Sequence, residues 1–163
     1  MPTVWRSPAT AGAIAWCGVF AAAHVFWGLG GDAGLASSAG AALARQRPLP
    51  FVLFGLWGVA VLLLAGAALV GWSTSATLPR RARALCAASI VGVGLLLLAR
   101  AVLVELVLAA NAGGVRDTVG PAEARWSLLL WNPWFALGAA FFLAVGFRLA
   151  RRASGRDDAP ASS

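Results

Sequence analysis

Four apolar stretches, 11–31, 51–72, 84–108 and 127–147, each run close to the roughly 20 residues that cross about 30 Å of hydrocarbon. Lipid offers a backbone no hydrogen-bond partner, so segments of this length must be helices that close their bonds internally. The fold class that follows is all-α: an integral membrane four-helix bundle spanning 1–152, with 153–163 a polar, disordered tail. With 60% of its residues hydrophobic and 12% charged, the chain carries too much apolar surface for water and has no room for a separate soluble catalytic domain. Arg6 before the first stretch and Ala21, Ala22 and Ala23 within it raise a cleaved signal sequence as an alternative. The run is longer than a signal core and continues through Val25, Phe26 and Trp27, which favours a retained helix. Trp16 before Cys17 is too bulky for a lipoprotein site.

The net charge of +7 comes from thirteen Arg and no Lys. Their placement is that of topology and not of nucleic-acid binding, because they cluster beside apolar runs. Arg6, Arg80, Arg81, Arg83, Arg148, Arg151, Arg152 and Arg156 fall on one side, against Arg45, Arg47, Arg116 and Arg125 on the other. The positive-inside rule then puts both termini in the cytoplasm. Arg in place of Lys, with abundant Ala, Gly and Leu, fits a GC-rich bacterial genome and hence a bacterial inner membrane. Cys17 and Cys86 lie in different apolar runs with no CxxC spacing, so neither a zinc site nor a thiol-redox pair is expected. A single His and the initiator Met do not supply two axial ligands for haem. No metal and no cofactor is expected.

In the first outer loop, Leu35, Ala39, Ala42 and Leu43 have helical spacing ahead of Pro48, which fits a short interfacial helix. In the third, Asn111, Gly113 and Gly114 break the chain, and Pro121 followed by Glu123 marks the start of the fourth helix outside the membrane.

A rise of about 1.5 Å per residue gives each polar side chain a depth, and all the strongly polar intramembrane residues fall in the outer half. His24 lies somewhat beyond the midplane, Arg100 about 24 Å along the outward-running third helix, Glu105 near the outer boundary and Asn132 about 8 Å below it. Two readings compete. An aromatic belt with Arg100 snorkelling to headgroups accounts for most of the Trp residues. His24 is harder to assign to lipid, since an imidazole at that depth needs a partner or a cavity. Arg100 and Glu105 read as a structural ion pair, or as two charges that each bind another helix.

His24, Trp27, Gly28 and Gly31 follow i, i+3, i+4, i+7 spacing, so the face should be buried where another helix approaches, and Gly30, Gly31 and Gly34 should end the helix. In Trp131-Asn132-Pro133-Trp134, proline removes a donor and crowds the carbonyl of Leu129, so the fourth helix should kink or restart there with Asn132 as its cap. His24 and Asn132 sit at similar depths and are candidates to line one outward-opening pocket.

The segment AHVFWGLGG ending at Gly31, with NPWFALG from Asn132, resembles the domain of unknown function 3995 family of small bacterial four-helix membrane proteins. The resemblance implies the same fold, draws attention to His24, Trp27 and Pro133, and implies no substrate. A looser likeness is to sterol-isomerase bundles, in which buried carboxylates, His, Trp and Asn handle an apolar ligand. The present chain departs from them in offering only Glu105 and Asp117 as acids on or near its helices, both close to the surface.

The residues define a candidate site for a lipid-like molecule in the outer half. His24 would be its hydrogen-bond partner or acid/base, Arg100, Glu105 and Asn132 its polar contacts, and Trp27, Trp131 and Trp134 its apolar walls. Whether such a site is enzymatic is open. The alternatives are an accessory subunit whose small-residue faces pack on a partner membrane protein or a second copy, and a small transporter.

Overall fold

The computed structural model describes residues 7–155, the side chains of Asp117 and Thr118 excepted. Trp5, Arg6, Arg156 and the expected tail from 156 onward lie outside the described residues. Four helices are long and apolar enough to cross a membrane: α1 (Pro8–Gly28), α4 (Phe51–Ser75), α5 (Arg80–Ala109) and α7 (Pro121–Ala153). Between α1 and α4 lie the short helices α2 (Leu35–Ala39) and α3 (Ala41–Gln46), and α6 (Val115–Val119) precedes α7. The interfacial helix expected in the first loop is thus two helices, divided at Gly40, whose φ of +88° suits glycine. The chain belongs to the all-α membrane bundles.

Ser7 caps α1 and Pro8 occupies its first turn, where a missing N–H costs nothing. At the other end Gly31 N donates to Phe26 O at 2.9 Å and Gly30 N to Trp27 O at 3.1 Å, closing a Schellman turn around Gly30 at φ +107°. The helix therefore stops at Gly28, and Gly31 is not on the helical stripe its spacing implied.

α1 packs on α4 and on α7, and α7 packs most closely on α5. Glycines set the α5–α7 distance: a Cβ on Gly146 would lie 3.0 Å from Val91 N, and one on Gly94 3.1 Å from Leu143 N. Trp16, Cys17, Phe20, Ile90, Phe142 and Val145 fill the interior between these helices. Trp16 enters over Gly138, where no side chain stands in its way, and its indole N–H donates to Trp134 O at 2.9 Å.

Three of the four membrane helices have an arginine on carbonyls at their C-terminal ends, groups the helix itself leaves unpaired. Arg47 donates to Trp27 O and Gly31 O at the end of α1, and Arg116 to Leu108 O and Ala109 O at the end of α5. Arg80 donates to Ala153 O at the end of α7, while Thr74 and Ser75 hydroxyls turn back on Val70 O and Gly71 O in α4. Cations at these C-termini also meet the negative end of the helix dipole.

α7 passes Pro133 without breaking. The turn ahead of it, Ser127–Trp131, is π-helical, and Asn132 has helical φ and ψ of −65° and −46°. A π turn holds more residues than an α turn, which relieves the crowding between the proline ring and the carbonyls behind it. Asn132 is consequently an interior residue of the helix and not the cap that the proline suggested. A second π-helical segment, Phe51–Gly58, opens α4 at the same end of the bundle.

Candidate functional site

The end of the bundle away from the termini, here the distal end, gathers the polar side chains. Asn132, 3% exposed, sits between two residues of α5. Arg100 Nη1 donates to its Oδ1 at 2.7 Å, and its Nδ2 donates to Glu105 Oε2 at 2.8 Å. Guanidinium only donates and carboxylate only accepts, so the amide orientation has one self-consistent assignment. Arg100 and Glu105 do not pair directly; of the two expectations for them it is the second, each binding another helix, that the structure shows, and among the described residues the ion pair is Arg47–Asp32. Arg100 also lies over the Phe135 ring, 4.0 Å from its centre, and so is anchored inside the bundle and does not snorkel. Phe135 escaped the sequence reading; its place one turn after Asn132 was the available signal.

His24, 7% exposed, lies among aromatic rings. Its centroid is 4.6 Å from Phe20 and 5.0 Å from Trp27, both edge-on. Its Nδ1 lies 2.8 Å from Phe20 O one turn back. A carbonyl accepts only, so Nδ1 carries the proton and the neutral ring keeps the Nε2 lone pair as an acceptor. Trp131 lies 6.1 Å from Phe20 and 6.2 Å from Trp27, and Trp134 stacks on Trp16 at 5.8 Å. Phe20 and Phe135, 5.6 Å apart, link this aromatic group to Arg100. His24 and Asn132 thus contribute to adjoining assemblies, one facing α1 and the other facing α5. The reading of an aromatic belt at this end fits Trp57 and Trp126, which are exposed, whereas Trp27 is buried.

Two features of this end are not used up by packing. The indole nitrogens of Trp131 and Trp134 are buried without a hydrogen-bond partner among the described residues. Trp131 also lines an open cleft of about 670 Å³ between α2 and the first turns of α7, together with Trp27, Ala36, Glu123, Trp126 and Leu130. On the other flank of α7 a cleft of about 800 Å³ is lined by Asn111, Arg116, Arg125, Leu128 and Leu129. His/Cys/Asp/Glu groupings able to hold a metal are absent among the described residues.

A helical bundle of four long apolar helices with a polar, Trp-lined distal end defines a multi-span membrane protein. Residues 17–142, more than half of the chain, match the family described as Protein of unknown function (DUF3995), and the chain belongs to that family. No curated protein and no solved structure matches it. The match spans His24, Trp27, Arg100, Glu105, Trp131, Asn132 and Trp134.

Proposed function

We propose that the protein is a bacterial inner-membrane protein, both termini cytoplasmic, that binds a lipid-like amphiphile in the Trp27–Trp126–Trp131 cleft at its outer end. The orientation rests on the excess of Arg at the termini side. The ligand reading rests on one observation above the others: Trp131 Nε1 is buried, has no hydrogen-bond partner among the described residues, and belongs to a residue that lines an apolar cleft. A donor left unmade in a low-dielectric surrounding costs about 1–3 kcal/mol, and an ester, carbonyl or ether oxygen of a ligand would recover it by drawing the indole N–H round toward the cleft. The cleft volume of about 670 Å³ lies in the range of small-molecule sites.

In this reading His24 and the Arg100–Asn132–Glu105 chain hold the walls in place from behind and are positioning residues. The test is mass spectrometry of molecules retained by protein purified in mild detergent, wild type against Trp131→Phe and Ala36→Trp, the second filling the cleft. A specific amphiphile held by wild type and lost from both folded variants supports the site. Equal retention by all three proteins rejects it. A second reading, a subunit covered by a partner protein, has one observation in its favour: the Glu105 side chain is exposed between Leu103 and Leu106, both 60% exposed.

A further inference from the structure

We infer that the amphiphile in the Trp27–Trp126–Trp131 cleft carries a cationic, ammonium-type head, recognised by Glu123 and the indoles that line the cleft with it. This rests on the cleft reading above and adds the chemistry of the head. Glu123 is the one ionisable side chain in the lining of that cleft. Two of the other polar side chains there have partners: Trp27 Nε1 donates to Ala33 O at 2.7 Å, and Ser37 Oγ to Gly34 O at 2.7 Å. What stays open among the described residues is a carboxylate with no hydrogen bond or ion pair, and the indole N–H groups of Trp131 and the exposed Trp126.

The carboxylate folds back over its own first turn. Glu123 is the third residue of α7, and its Oε2 lies over Gly120, where a Cβ would come within 2.8 Å. Only a residue without a side chain, at φ +99°, leaves that position to the carboxylate. Indoles carry negative potential on their faces and a carboxylate carries a full negative charge, so a cleft lined by three indoles and one carboxylate favours a cation over an anion.

The fourth helix separates charge across its own axis. Arg125, two residues on and therefore about 200° round the helix, lines the opposite cleft with Arg116. An anionic head is suited to that flank and a cationic head to the Glu123 flank. Depth sets the orientation of the ligand: Leu130 lies seven residues, about 10 Å, further along α7 than Glu123. A head at Glu123 therefore sends its chain past Leu130 and Trp131 toward lipid.

The experiment uses the full chain in nanodiscs of phosphatidylglycerol, titrated with dodecyltrimethylammonium and followed by tryptophan fluorescence. The comparison probes are an uncharged dodecyl amphiphile with a tert-butyl head and chainless tetramethylammonium. Wild type should bind the long-chain cation about tenfold more tightly than the neutral amphiphile. Glu123→Gln, which keeps the shape, should erase that preference, Arg125→Gln should preserve it, and tetramethylammonium should bind far more weakly than the long-chain cation. Equal affinity for charged and neutral amphiphiles in wild type, or a preference that survives Glu123→Gln, overturns the cation inference and leaves the cleft standing. Tetramethylammonium binding as tightly as the long-chain cation overturns the amphiphile. Absence of binding of any probe to wild type, or binding unaffected by Ala36→Trp, removes the cleft reading and this inference with it.

Discussion

Arg100 Nη1 meets the amide oxygen of Asn132 at 2.7 Å, and through that contact a cation on α5 is tied to the helix that carries Pro133. The amide is the common member of two charge-assisted bonds, so its loss strands both an acid and a base. Asn132→Leu should therefore lower stability by about 3 kcal/mol, more than either Arg100→Leu or Glu105→Gln alone. Asn132→Asp keeps the acceptor for Arg100 but turns a second carboxylate on Glu105. Adding Glu105→Gln to it restores a donor, so the double variant should recover much of the loss. Reversible unfolding of wild type and these five variants in one detergent decides this; a double variant no better than Asn132→Asp would refute the bridging role.

The distance between α5 and α7 gives a second prediction. Gly146→Ala must push a methyl against Val91 N and Gly94→Ala one against Leu143 N, both backbone atoms. Each should cost about 1–3 kcal/mol. Gly92, on the same helix, has nothing within 4 Å of its Cβ position, so Gly92→Ala should be neutral or slightly stabilising through helix propensity. Thermal denaturation of the three variants checks the contrast.

Much of this architecture was legible in the sequence because one demand, backbone bonds closed within lipid, leaves helices as the only solution for 20-residue apolar runs. The start at Pro121 and the break at Gly113–Gly114 were readable for a similar reason, since each needs a particular backbone residue. Partners across helices were not readable. Asn132 was visible as a polar residue beside Pro133, but a bond to Arg100 spans 32 positions and depends on how α7 turns on α5. Arg47 and Arg116 were read by side alone; that they close the ends of α1 and α5 depends on loops folding back, at Arg47 with φ of +41°. Glu123 was read as a start signal, and its place in a cleft became visible only with α2 opposite it.

Arg47 makes three contacts with the end of α1 and the residues after it, to Trp27 O at 2.8 Å, to Gly31 O at 2.6 Å and to the Asp32 carboxylate at 2.6 Å, besides a longer one to Ala44 O at 3.4 Å. Arg47→Gln should release the first loop from α1 with a modest global cost of about 1–2 kcal/mol. The local effect should be larger: faster amide exchange and proteolysis across 29–47, with the α5–α7 pair unchanged. Exchange rates rising uniformly over the whole chain would contradict a local capping role.

Trp131 and Trp16 offer the same chemistry in opposite states, since the Trp16 N–H has Trp134 O as acceptor and the Trp131 N–H has none among the described residues. Trp→Phe removes a similar ring at both sites. At Trp16 it also removes a made hydrogen bond and leaves a carbonyl short of one partner. At Trp131 it relieves an unsatisfied donor, so in ligand-free protein Trp131→Phe should cost about 1–2 kcal/mol less than Trp16→Phe. The order of ligand effects should be reversed: Trp131→Phe should lose the retained amphiphile, and Trp16→Phe should keep it wherever the protein remains folded. Unfolding curves of delipidated protein together with retention of the bound molecule measure both halves. If Trp131→Phe proved the more damaging substitution in delipidated protein, its N–H would already have a partner within the fold, and the cleft would lose the group that argues for a ligand.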